Sequence, residues 1–127
     1  MNVEDYFNNG KIFVWKEIFA IVKSKKPFPD SFAVIKDKNE ITSVIDQSKI
    51  KNNKDIIKIE KGWKLLTFDM ILPFELVGFL SKISKILADE NISIFVISAY
   101  STDHILIKEN DLNKAMMKLE TAGFVIN

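Results

Sequence analysis

The sequence predicts an α+β protein whose C-terminal half forms one β-α-β-β-α-β unit. Three observations carry this expectation. Trp63 to Leu72 is a dense apolar run interrupted by Lys64, Thr67 and Asp69, as in a strand buried on at least one face. From Phe74 the apolar spacing changes to three and four residues, through Leu76, Leu80, Ile83 and Leu87, which is one stripe of a helix. Ile92, Ile94, Phe95, Val96 and Ile97 then face Ile105, Leu106 and Ile107 across the polar turn Ser98 to Asp103, the pattern of a hairpin.

Each boundary has a local reason. Pro73 lacks an N–H and ends the strand, and it is tolerated in the first turn of the helix that follows. Asn91 suits a left-handed helix terminator. Asn110-Asp111 can cap a second helix, whose buried stripe is Leu112, Ala115, Met116 and Leu119. Gly123 sits where a helix end favours positive φ, and Phe124-Val125-Ile126 makes a last short strand. The order is that of the ferredoxin-like split unit.

The N-terminal half reads as a weaker counterpart. Met1 to Gly10 is a loosely held tail or a short helix. Glu17 to Lys23 reads as a strand, with Ile12 to Trp15 as a second extended piece or a lead-in; a single buried helix fits the same periodicity. Lys25 to Asp30 is a loop held by two prolines. Phe32 to Lys36 and Glu40 to Asp46 form a hairpin about Asp37-Lys38-Asn39, and Gln47 to Asn53 has room for one helical turn. Asp55 to Ile59 alternates as a strand that can run into Trp63, with Gly62 as a bend or bulge. FAVIKDKNEI at Phe32 echoes FVISAYSTDHI at Phe95. Two small sandwiches are therefore expected, residues 11–61 abbreviated and residues 62–127 complete.

Composition narrows the functional classes. The chain has 127 residues, 47% of them hydrophobic, and a net charge of +1. No global field recruits nucleic acid or an acidic membrane. A mean hydropathy of +0.06 and the lack of a long uncharged apolar run argue against a membrane span. No leader-like segment follows Met1, and a cytoplasmic location is expected. There is no cysteine, hence no thiolate chemistry. All 18 basic residues are lysines, so the planar guanidinium fork is missing. His104 is the sole histidine and reads as structural. No acidic cluster has metal-ligand spacing, no nucleophile motif is present, and four glycines make no phosphate loop. Neither a catalytic residue, a metal nor a cofactor is expected.

The string LLTFDM, ILPFE, VGFLSKISKILADENISIF, VISAYSTDHILIKE and DLNKAMMKLETAGF resembles the ACT domains, of the aspartate-kinase type and in tandem. Gly78, Asn91-Ile92 and the Ser98–Asp103 turn carry the resemblance. It covers Gly62 to Phe124 well and Glu17 to Asp46 loosely. What it implies is a non-catalytic regulatory sensor that binds a free amino acid or similar metabolite between two such units. Carried over, the site is Leu72, Pro73, Phe74, Val77 and Gly78, facing Ser98, Ala99, Tyr100, Thr102 and Asp103. Physical chemistry supports this placement. Unpaired N–H groups at a helix starting near Phe74 suit an α-carboxylate without arginine. Asp103 suits an α-ammonium or a basic side chain, and Ser98, Ser101 and Thr102 offer hydroxyls. Gly78 permits close approach of a ligand, or of helix to sheet. Phe79 and Ile86 lie off the main stripe and are free to meet a second unit. Exposed sheet edges predict a homodimer. The rival reading is an interaction module of the same fold without a metabolite.

Overall fold

The computed structural model describes residues 2–51 and 53–127. Met1 of the expected tail and Asn52 of the expected helical turn lie outside the described residues. The chain divides into two compact units, residues 16–63 and residues 1–15 with 64–127.

The smaller unit is a sheet of β2 (Phe19–Ser24), β3 (Ala33–Lys36), β4 (Ile41–Asp46) and the first part of β5 (Ile56–Phe68). Its order is β3-β4-β2-β5, all antiparallel. The expected hairpin turn is closed by the Asp37 carboxylate, which accepts from the N–H groups of Asn39 and Glu40. After β4 a single 3-10 turn, Gln47–Lys49, takes the place of a helix. Among the described residues this unit has no α-helix. Phe28 and Ile50, from the two loops, pack on Ala20, Val22 and Ile45.

Gly62 makes the expected bulge. Phe19 pairs with Trp63 and Ile21 with Glu60, so two steps on β2 oppose three on β5. The extra residue is accommodated by Gly62 at φ +80°, a conformation other residues adopt at a cost.

The larger unit contains the β-α-β-β-α-β order. After β5 come α2 (Phe79–Ala88), β6 (Ile94–Ser98), β7 (Asp103–Lys108), α3 (Leu112–Thr121) and β8 (Val125–Ile126). Two N-terminal elements join it, α1 (Val3–Phe7) and β1 (Lys11–Val14). β1 lies between β5, to which it is antiparallel, and β8, to which it is parallel. The resulting order is β8-β1-β5-β7-β6. The sequence reading places Lys11–Val14 within 11–61; here it sits in the larger unit, where Ile12 adds a fully buried side chain beside Phe68. Asn91 and Gly123 adopt positive φ after the two long helices, as expected.

The core is the face of this sheet that carries Ile12, Leu66, Phe68, Ile105 and Ile107. Phe7, Phe79, Ile83, Leu87, Ala115 and Leu119 cover it from the helices. Phe68 lies at the centre, in contact with the rings of Phe79 and Phe124 at 5.0 and 5.7 Å. Two expectations are corrected. The buried stripe of α2 is Phe79, Ile83 and Leu87, and Ile86 packs beside it, so Phe79 and Ile86 face this unit's own core and Leu80 lies off it. The strand ends at Phe68, short of Leu72. β1 begins at Lys11, and after Asp69 donates to the Lys11 carbonyl no partner strand remains.

Thr67 places a hydroxyl between two rings. It accepts from Trp15 Nε1 at 2.9 Å and lies 2.8 Å from His104 Nδ1. Burial lowers the His104 pKa, opposed by the neighbouring Asp103 charge. Among the described residues no helix is long and apolar enough to cross a membrane.

Two predictions follow from these contacts. Phe68→Ala, at a fully buried site, lowers unfolding free energy by about 3–5 kcal/mol, whereas Gly62→Ala costs about 1–2 kcal/mol through backbone strain alone; urea titration separates them. As pH falls below about 6.5, the unfolded chain takes up a proton on histidine before the folded chain does. Stability is therefore full above that pH and declines on acidification. Thermal melts across about pH 7.5 to 5.5 show a shallower decline for His104→Gln, and equal slopes would refute the role of burial.

Candidate functional site

The loop from Asp69 to Gly78 and the turn from Ser98 to Asp103 meet at one end of the larger unit. One bond joins them directly and a second ties the turn to the end of β5. Leu72 N–H donates to the Ser101 carbonyl at 2.7 Å, and Thr102 Oγ1 donates to the Phe68 carbonyl at 2.5 Å. The turn closes on itself through Ala99 N–H to the Thr102 carbonyl. Ser98 Oγ donates to Asp103 Oδ1 at 2.6 Å across the last β6–β7 pair.

The loop corrects the expected helix start. Leu76 N–H donates to the Pro73 carbonyl at 3.1 Å, so Pro73 opens a turn and not a helix. Gly78 follows at φ +92°, and α2 begins at Phe79 with the Lys82 N–H on the Gly78 carbonyl. The glycine therefore serves backbone conformation. A Cβ there would meet no protein atom within 4 Å, so close packing does not require its absence. The N–H groups of Phe79, Leu80 and Ser81 have no acceptor within the helix, by helical geometry.

Between loop and turn lies a cavity of about 210 Å³. It is lined by Leu72, Pro73, Phe74, Ser98, Ala99, Tyr100, Thr102 and Asp103, all named from the sequence, together with Leu76 and Phe79. Val77 and Gly78 do not line it; the Val77 side chain is 83% exposed. Leu76 and Phe79 escape the sequence reading because an unbroken helix from Phe74 turns them elsewhere. The overlooked signal is Gly78: a glycine inside a helical pattern marks a cap as readily as an interior position.

The lining is chemically divided. Leu72, Leu76 and Phe79 form an apolar wall, with Leu72 and Phe79 buried. Asp103 is the one formally charged side chain among the described lining residues. The hydroxyl hydrogens of Ser98 and Thr102 are both donated within the chain, so these oxygens remain as acceptors beside the carboxylate. Phe74 and Tyr100 meet edge to face with centroids 4.8 Å apart. Both rings are largely exposed, as are Ile71 and Val77 on the same loop, an apolar rim of the kind that binding surfaces carry.

Comparison with known proteins agrees with this architecture. The profile described as the ACT domain matches residues 58–121, half of the chain. No sequence among curated proteins matches it. Solved structures share the fold. A protein of Agrobacterium tumefaciens is 23% identical with a TM-score of 0.79, covering 94% of this chain and 92% of that one. A protein of unknown function from Vibrio cholerae, described as a possible transport protein, is 19% identical with a TM-score of 0.77 and 96% coverage of both chains. The ligand-free regulatory subunit of aspartate kinase from Thermus thermophilus has a TM-score of 0.63 at 9% identity, over 91% of this chain and 97% of that one. A sheet order with two covering helices, a loop stapled to a hairpin turn, and the match across residues 58–121 lead to one assignment: the chain belongs to the ACT domain family.

Proposed function

We propose that this protein is a non-catalytic regulator that binds a free amino acid in the cavity between the Pro73 loop and the Ser98–Asp103 turn. Its family and its likeness in fold to a regulatory subunit support a regulatory, small-molecule-binding role. One observation carries the amino-acid reading: the turn side of the cavity gathers a carboxylate and two hydroxyl oxygens whose hydrogens are already donated, with the Tyr100 ring beside them. Asp103 offers a carboxylate, and the Ser98 and Thr102 oxygens have already given their hydrogens away. An ammonium group is the complement, with three donors and no acceptor. The first turn of α2 reaches the lining at Phe79 and supplies backbone N–H groups for an α-carboxylate.

Residues 16–63, in this reading, are an abbreviated counterpart of the larger unit. The protein works as a homodimer. β6 is an edge strand, bonded to β7 alone among the described strands, and Ile94 to Ser98 contains neither charge nor proline to discourage pairing. A second copy laid against it would also approach the exposed rim of the cavity.

Calorimetric titration with each of the twenty amino acids tests the ligand. At least one binds at roughly micromolar Kd, and Asp103→Asn weakens it by about ten- to a hundred-fold, the worth of a charged hydrogen bond. No heat with any amino acid would refute the reading. Light scattering during gel filtration tests the assembly: the wild type elutes as a dimer and Val96→Lys, at an exposed edge position, as a monomer. A monomeric wild type would overturn it.

A further inference from the structure

We infer that the ligand is a neutral amino acid with an aliphatic side chain, and that charged amino acids are rejected. This rests on reading the cavity as an amino-acid site and goes on to its selectivity. The argument is one of charge balance. Asp103 is the one formally charged side chain among the described lining residues, which include no lysine. The α-ammonium of a zwitterion uses that carboxylate. A lysine or arginine ligand would bring a second cation with no counter-ion among the described lining residues. A glutamate or aspartate ligand would bring a second anion, to be held beside Asp103 and against oxygens that can offer no hydrogen. Either extra charge, if held against the apolar wall, would stand there unpaired, which is costly.

What remains for the side chain is the apolar wall. Leu72 and Phe79 are 9% and 5% exposed, and Leu76 packs against the same core. These three residues present carbon with no polar partner for a ligand amide or hydroxyl. The cavity, about 210 Å³, has room for one small molecule, and its apolar wall is the part left for the side chain. The Phe74–Tyr100 pair then stands over the occupied cavity, and its exposed rings gain a covered face when the ligand binds.

The test is competitive calorimetry on the full chain with valine, leucine, isoleucine and methionine against serine, glutamine, aspartate, glutamate, lysine and arginine. At least one aliphatic amino acid binds about ten-fold or more tightly than any of the polar and charged ones. Leu76→Asn removes part of the apolar wall and narrows this ratio, whereas Leu76→Met keeps it; a thermal melt of each variant separates lost selectivity from lost fold. If a charged or polar amino acid binds as tightly as the aliphatic ones, the inference fails and the amino-acid reading stands. If none of the ten binds, while another of the twenty apart from alanine does, the inference again fails alone. Silence from all twenty removes the amino-acid reading itself.

Discussion

The candidate site depends on a pair of hydrogen bonds that hold a loop against a hairpin turn. Leu72 N–H on the Ser101 carbonyl and Thr102 Oγ1 on the Phe68 carbonyl join segments some thirty residues apart in sequence. Without them the stretch after Phe68 has no strand partner, and the turn after β6 has no neighbour to define a cavity wall. Both bonds end on backbone, so they set main-chain positions and leave the side chains of Leu76, Phe79 and Asp103 to line the cavity. The second bond also uses up the Thr102 hydrogen, as Ser98 uses its own on Asp103. The same contacts that build the site thereby leave the Ser98 and Thr102 oxygens as acceptors.

Anchoring comes from below. Phe68 is fully buried among Phe79 and Phe124, and its carbonyl is the acceptor for Thr102. Phe79 is both the first residue of α2 and part of the cavity wall. The core and the site thus share residues, so packing determines where the loop leaves the sheet. The smaller unit has no such arrangement among its described residues. A 3-10 turn and a proline-held loop stand where the larger unit has helices, and its apolar face is closed by single side chains, Phe28 and Ile50.

Much of the local structure was legible in the residues. Asp37-Lys38-Asn39 and the Ser98–Asp103 turn are polar interruptions between β-branched runs, and both became hairpins. Asn91 and Gly123 terminated helices because they tolerate positive φ, and Gly62 made its bulge for the same reason. The helix start was misread because Pro73 is compatible with both a first helical turn and a tight turn; the Leu76 N–H to Pro73 carbonyl bond selects the second. Of the expected site residues, the turn positions and the loop up to Phe74 line the cavity. Val77 and Gly78 fall outside it as a consequence of that later start.

By itself the sequence determined the order of elements, the hairpins and the apolar faces, because these follow from periodicity and from local backbone preference. Tertiary structure alone decided three things. It put Lys11–Val14 between β5 and β8, a pairing of strands far apart in the chain that no local pattern encodes. It turned Phe79, rather than Leu80, into the core and the cavity wall, since the phase of a helix follows from where packing lets it begin. It also assigned the hydroxyl hydrogens of Ser98 and Thr102 to partners, and hydrogen-bond polarity exists only once those partners are brought within reach.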